Sequence, residues 1–287
     1  MDWPKISIVT PSYMQGHFLE WTLRSVLCQN YQNLEYIVMD GGSTDSTRPV
    51  IEKYAHHLTY WESKKDKGQA DAIARGFSRT TGEIMAYLNS DDMLTPGTLH
   101  KVAKYFADHP SVDVIYSHRC FVDPKNRVIG YWILPPHSSY LMKRFDYIPQ
   151  ETTFWRRRLF DRVGNIDPTY RFAMDYDLFV RFMNAGNMRR LPDIFGAFRM
   201  HDYSKTKTQI ETIGLREMNR VRSQYGISIR KYDHALLKMF IAYVKGASFA
   251  WTRYQHARHA ADPHSFLDFE RIWQGEISTS RPLAKAG

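Results

Sequence analysis

Apolar and polar positions alternate in two rhythms along the first ninety residues. Ile6 to Thr10 has the length and β-branched content of a short buried strand, whereas Phe18 to Gln29 repeats apolar side chains at Leu19, Leu23, Val26 and Leu27, the spacing of one helix face. The pair then recurs: a strand over Leu34 to Asp40, a helix over Ser46 to Tyr54, a strand over Leu58 to Glu62, a helix over Gln69 to Arg79 and a strand over Glu83 to Asn89. Four strands separated by three helices predict right-handed crossovers and a largely parallel sheet. The fold class is therefore α/β, with ligands expected beyond the carboxyl ends of the strands.

A fourth helix is predicted over Pro96 to Asp108, with Thr95 as its N-cap, leading into a strand over Val112 to Ser117. The strict alternation ends there. Phe121-Val122 and Val128 to Ile133 flank the turn Asp123-Pro124-Lys125-Asn126 and predict a hairpin added to the sheet. Asp175 to Ala185 predicts another helix, Ile194 to Arg199 another strand, and the chain beyond Ser204 is mostly helical and basic. No repeat or low-complexity linker sets that tail apart, so it is expected to pack on the main domain.

Composition narrows the partners. With 43 % hydrophobic and 24 % charged residues the chain is ordinary globular protein, not a disordered one. A formal charge of +9 favours anionic partners such as a diphosphate, an anionic lipid surface or nucleic acid. Cys28 and Cys120 show neither metal spacing nor a disulfide framework, which points to a reducing, cytoplasmic setting. No signal peptide is expected, because Met1 to Lys5 leads straight into the first strand, and the apolar run Met239 to Val244 is far short of a membrane span.

The strand ends carry the chemistry. The first strand ends in Thr10-Pro11-Ser12-Tyr13 instead of a G-x-G-x-x-G turn, which argues against a dinucleotide dehydrogenase. The second ends in Asp40-Gly41-Gly42-Ser43-Thr44-Asp45, whose glycines allow a tight path and whose acids and hydroxyls can either meet a nucleoside or cap the next helix. The fourth ends in Asn89-Ser90-Asp91-Asp92. Adjacent carboxylates there suit a hard divalent ion, which needs only one or two of them plus substrate phosphates, although two acids in such a turn also serve as simple caps.

Taken together with Asp66-Lys67-Gly68-Gln69-Ala70-Asp71-Ala72, these segments resemble glycosyltransferase family 2 over residues 5 to about 205. The resemblance implies a Rossmann-like GT-A domain over residues 1–205 with a mostly parallel central sheet, and a helical, basic C-terminal extension over 206–287. It also implies an inverting enzyme of the hexosyltransferase type that uses a nucleotide-sugar donor, expected to be a UDP-sugar, with Mn²⁺ or Mg²⁺. Carried over position by position, Pro11, Tyr13, Asp40 and Asp71 would meet the nucleotide. Asp91 and Asp92 would hold the metal, with Asp92 the expected direct ligand. Two positions depart from the family pattern: Asn89 and Ser90 stand where relatives often begin the motif with Asp, and Gly41 stands where a second acid is common.

By the same resemblance, Asp175 in Met174-Asp175-Tyr176-Asp177 is the expected catalytic base, positioned to take a proton from the acceptor hydroxyl. Arg199 and His201 match the family's closing loop, Arg199 as a donor-binding group and His201 near the metal, and Gln150 with Glu151 would shape the acceptor pocket. The acceptor is expected to be a saccharide or lipid-linked saccharide of the cell envelope. Basic and apolar residues interleave between Gly226 and Arg258, so the extension either lies on the cytoplasmic face of an anionic membrane or packs its apolar stripe on the domain. Two competing readings are a nucleotidyltransferase, whose Gly-rich basic loop after the first strand is missing, and a basic nucleic-acid binder. Acids at the strand ends disfavour the latter, so no nucleic-acid partner is expected. His56, His57, His256 and His259 lack a matching set of partners and are expected at the surface.

Overall fold

A computed structural model describes residues 3–261 together with 269, 272, 275–277 and 285–286. Its sheet starts as the pattern requires. β1 (Ile6–Ser12), β2 (Leu34–Asp40), β3 (Tyr60–Ser63) and β4 (Ile84–Tyr87) run parallel in the order β3-β2-β1-β4. β1 and β2 are buried at every position, as strands covered on both faces must be. Alternate side chains feed two cores: Ile8, Tyr36 and Val38 pack with Leu19, Leu23 and Val26 of α1 (Gly16–Leu27) and Ile51 of α2 (Thr47–Tyr54). Val9, Ile37 and Met39 point the other way, onto Ile73 and Phe77 of α3 (Gln69–Phe77).

Beyond β4 the sheet becomes mixed. β5 (Met93–Leu94), β6 (Val114–Val122), β8 (Phe154–Arg156) and β9 (Met188–Arg199) continue it in the order β8-β6-β9-β5, with β6 and β9 parallel, and β7 (Val128–Trp132) pairs with β6. β10 (Lys285–Ala286) adds to the far edge against β3. The expected strand at 112–117 and the first arm of the hairpin are one nine-residue strand, β6, and β9 begins six residues before Ile194. α4 (Thr98–Asp108) starts later than its Pro96 suggested. Gly97, at φ +78°, breaks the backbone before it, and Thr95 meets Thr98 through their hydroxyls at 3.0 Å instead of capping from its own position.

α5 (Ser139–Phe145), α6 (Arg157–Val163) and α7 (Met174–Ala185) fall between β7 and β9 in the chain. After β9 come α8 (Lys205–Gln209), a π-turn over Ile210–Gly214, α9 (Leu215–Gln224) and α10 (Lys231–Ala261). Met218, Val221, Phe240 and Val244 of these last helices sit in the same core as β1 and α3, so the tail is packed rather than trailing. His57 is also buried, at 8 % exposure, contrary to its expected surface position.

Candidate active site

The loops that follow β1 to β4 meet at one end of the sheet. Pro11 is buried within β1, and Tyr13, just beyond it, is 64 % exposed. Asp40 is 2 % exposed and its carboxylate turns onto its own loop. Oδ2 accepts from Ser43 N (3.0 Å), Gly42 N (3.2 Å) and Ser63 Oγ (2.6 Å), and Oδ1 from Ser43 Oγ (2.5 Å). Asp45 ties two helix starts together, accepting from Thr47 N and Gly16 N at 3.0 Å each. Gly41 leaves room for its neighbours, since a Cβ there would lie 2.9 Å from Asp66 Oδ2 and 3.2 Å from the Tyr13 ring, and those side chains would have to give way. Asp66 thus reaches the space that a second acid at 41 would have filled. Burial pushes its carboxyl up, and Asp71 and Asp40 add to the push. Asp71 itself accepts from Lys67 N at 3.3 Å and faces Arg75 at 3.8 Å, on the first turn of α3.

The acidic turn after β4 is held from behind by β9. Arg199, 1 % exposed, donates through Nε to Asp91 O (2.9 Å), through Nη1 to Asp123 O (3.1 Å) and through its backbone N–H to Asp92 Oδ1 (3.1 Å). Its guanidinium also covers the Phe18 ring at 4.6 Å. Arg199 therefore braces the turn through main-chain contacts, and Nη2 is its one nitrogen without a hydrogen bond. His201 Nε2 lies 3.0 Å from Asp91 Oδ2. The Asp91 side chain keeps 21 % exposure whereas Asp92 is buried. Burial, then Asp91 and Glu151, push the Asp92 carboxyl well above the carboxylate range.

A row of amides explains the asparagine at position 89. Lys205 Nζ donates to Gln69 Oε1 (2.6 Å), Gln69 Nε2 to Asn89 Oδ1 (2.6 Å), and Asn89 Nδ2 to Gln150 Oε1 (3.4 Å) and Asp92 Oδ2 (3.5 Å). Gln150 Nε2 completes the row on Tyr87 O at 2.7 Å. An aspartate at 89 could not donate and would set another carboxylate against Asp92. Glu151, 3 % exposed, pairs with Arg119 at 3.1 Å, and Gly196 leaves room for it, as a Cβ there would come within 2.7 Å of Glu151 Cγ.

Asp175 stands in the first turn of α7, where its Oδ1 accepts from Tyr176 N at 2.8 Å. Burial drives its carboxyl up to about 6. The N-cap position of α7 is Ala173, whose methyl group cannot cap. Glu217 of α9 supplies the cap from a distance. Its carboxylate accepts from Arg171 N (3.0 Å), Phe172 N (2.8 Å) and Ala173 N (3.0 Å). Lys205 holds the same peptide from the other side, donating to Arg171 O at 3.2 Å, and its ammonium lies in the fields of Asp91, Glu217, Asp175 and Asp66. Lys205 thus stands near the Asp66, Asp91 and Asp175 segments together. Asp146, in the left-handed region at φ +42°, joins them from the end of α5, its carboxyl pushed well up by burial and by Asp175.

Glu217, Lys205, Arg119 and Asp146 were not legible as site residues, since each acts on a segment at least 29 residues away with no local motif. For Asp177 the structure gives a bracing role: it pairs with Arg181 at 2.7 Å and accepts from Tyr225 Oη at 2.9 Å. Among the described residues no group of three or more His, Cys, Asp or Glu side chains is placed to hold a metal ion. Asp91 and Asp92 offer the one or two carboxylates that a hard divalent ion needs beside substrate phosphates, and the raised Asp92 carboxyl marks a place short of positive charge.

Comparison with known proteins gives the family and the fold. The family described as Glycosyl transferase family 2 matches residues 7–166. An uncharacterised glycosyltransferase of Rickettsia typhi is 24 % identical over 258 residues, 84 % of this chain and 80 % of the relative. A PGL/p-HBAD biosynthesis glycosyltransferase of Mycobacterium bovis is 30 % identical over 192 residues, 65 % of this chain and 73 % of the relative. Among solved structures, residues 1–349 of S. aureus TarS in complex with UDP-GlcNAc superpose with a TM-score of 0.60 at 20 % identity, covering 71 % of this chain and 61 % of that one. The mannosyltransferase PcManGT of Pyrobaculum calidifontis, in complex with GDP-Man and Mn²⁺, gives 0.59 at 19 % identity, covering 79 % and 66 %. The mostly parallel sheet with its C-terminal helix is thus the GT-A architecture of those neighbours, and the chain belongs to glycosyltransferase family 2.

Proposed function

We propose that this protein is an inverting glycosyltransferase that moves a sugar from a nucleoside-diphosphate donor to an acceptor hydroxyl in cell-envelope glycan assembly. The observation that carries the reading is Asp175, whose carboxyl burial drives up to about 6 and which lies, with Asp91 and Asp66, in reach of the Lys205 ammonium. Such a group is ionised at neutral pH yet basic enough to accept a proton. In the proposed step Asp175 takes the hydroxyl proton while the acceptor oxygen bonds to the anomeric carbon and the bond from that carbon to the diphosphate oxygen breaks. Attack from the face opposite the leaving group inverts the centre.

Tyr13 offers its exposed ring to the base, Asp40 and Asp71 fix the loops around the nucleoside, and Pro11 sets the exit of β1. Gln150 and Glu151 line the acceptor side. A divalent ion, Mn²⁺ or Mg²⁺, would supply Lewis-acid charge to the departing diphosphate, held by Asp91, Asp92 and His201. The greater exposure of Asp91 supports it, ahead of Asp92, as the direct ligand. Arg199 acts on the donor through the turn it braces. A UDP-sugar is the first donor to test, and the neighbours bound to UDP-GlcNAc and to GDP-Man support the donor class.

No helix among the described residues is long and apolar enough to cross a membrane. We extend the proposal to a peripheral contact through α10. After Asp233 this helix carries no acid, while Lys238 and Lys245 lie exposed beside Met239, Tyr243 and Phe249, which suits an anionic bilayer on the cytoplasmic side.

The test is a panel of UDP-, GDP- and dTDP-sugars with Mn²⁺ or Mg²⁺, read by donor hydrolysis and thermal shift beside Asp91→Ala. One donor should be hydrolysed in a metal-dependent way and lose its thermal shift in the variant. Absence of hydrolysis and shift across the panel would overturn the reading.

A further inference from the structure

A cavity of about 300 Å³ opens between the 167–173 loop and α9, lined by Thr169, Arg171, Ile213, Arg216, Glu217 and Arg220. Half of its wall is arginine. Arg220 donates to Thr169 Oγ1 at 2.9 Å and lies 3.8 Å from Asp167. The side chains of Arg171 and Arg216 have no hydrogen-bond or ion-pair partner among the described residues. The acid in the wall has no oxygen free to bond them, and one negative charge stands against three positive ones. Glu217 is 7 % exposed and its two oxygens are taken by the main-chain N–H groups of 171, 172 and 173. A ligand entering this space therefore meets guanidinium groups in excess.

Planar guanidinium forks match phosphate oxygens two at a time, and a volume at the small end of ligand pockets admits a phosphate or diphosphate but not a saccharide chain. The position adds to the chemistry. Arg171 precedes Asp175 by four residues on a peptide clamped by Glu217 and Lys205, so an anion held here sits against the strut that carries the proposed base. The donor cannot be the intended occupant, because its loops lie at the ends of β1, β2 and β4 and none of their residues lines this cavity.

We propose that this cavity is an anion subsite that takes a phosphate or diphosphate group of the acceptor, placed beside the hydroxyl to be glycosylated. The assignment rests on the transferase reading and deepens it by naming the acceptor as phosphate-bearing. Such a group occurs in a lipid-linked saccharide and in a phosphate-containing polysaccharide, and the chemistry of recognition is the same.

The experiment titrates the full chain with inorganic pyrophosphate by calorimetry, in EDTA so that metal-dependent binding at the donor site does not contribute. Arg171→Gln/Arg216→Gln should lose about tenfold or more in affinity and show a shallower salt dependence, as two charged contacts are removed. Arg171→Lys/Arg216→Lys, which keeps the charge but not the fork, should fall between it and the wild type. Equal affinity in the wild type and the glutamine variant overturns the proposal, as does failure of the wild type to bind pyrophosphate at low salt. Sedimentation with anionic phospholipid vesicles separates the sources. Loss of vesicle binding in the glutamine variant, with pyrophosphate binding unchanged, would give the arginines to a bilayer surface and also overturn the assignment. Donor hydrolysis by the wild type reports separately on the transferase reading, so failure of one is not mistaken for failure of the other.

Discussion

At the donor loops, Asp40 and Asp45 are surrounded by protein donors. Asp40 accepts four hydrogen bonds, and Asp45 joins the starts of α1 and α2. Burial pushes Asp45 up, but the bonds from Thr47 and Gly16 outweigh it and hold the carboxyl below the usual range. Around the acidic turn after β4 and the start of α7 the balance reverses. Asp92, Asp146, Glu151 and Asp175 are all pushed up by burial, and the contacts they make do not compensate. The difference separates acids whose hydrogen bonds outweigh their burial from acids whose burial is left uncompensated, and groups of the second kind are candidates for function.

The comparison breaks most visibly at Asp175. Asp175→Asn should lower kcat for transfer by about 10³-fold, in the range for removal of a general base, while donor thermal shift persists. In the wild type kcat should rise with pH through about 6, as the carboxyl ionises, and level off above. Full activity in the variant removes Asp175 as the base.

A smaller effect of the ordinary sign is expected at Asp45. Asp45→Ala should destabilise the protein by about 2 kcal/mol at pH 7, since two helix starts lose their cap. The stability from Asp45 is present above the ordinary aspartate range and is lost as pH falls through its lowered folded value. Urea unfolding at pH 7 and pH 3 should therefore show the gap closing in acid; a gap of the same size at both would contradict the role.

The smallest effect has the opposite sign. Because folding raises the Asp175 carboxyl from 3.8 to about 6, ionisation costs stability as pH climbs between those values, and the penalty is complete above. Asp175→Asn removes that penalty. It should unfold at higher urea than the wild type at pH 8, by on the order of 1 kcal/mol, and match it near pH 4. Lower stability at pH 8 would place Asp175 with acids such as Asp45.

Much of this cleft could be read before any coordinates. The strand-helix alternation through β4 is local, because apolar period and turn residues alone specify it, and the Asp40, Asp91-Asp92 and Asp175 segments lie where strand or helix ends must put them. What escaped was set by tertiary contact. β5 and β8 are two and three residues long and exist only because β9, β4 and β6 pair with them. The start of α4 was misread because Gly97 adopts a left-handed conformation that Thr95-Pro96 does not announce. Arg199 has the residue type of a phosphate ligand, but burial behind the acidic turn turned it into a brace.

The row of amides from Lys205 to Tyr87 has a direction. An ammonium can only give hydrogen bonds and a carbonyl can only receive them, so with those two ends fixed each of Gln69, Asn89 and Gln150 is held in one of its two orientations. Turning any one of them over would set like against like on both sides, two oxygens facing at one junction and two amino groups at the other. The cleft floor is in this sense polarised like a line of arrows, and a disturbance at the strap that bears Lys205 is felt at β4 without any change of backbone.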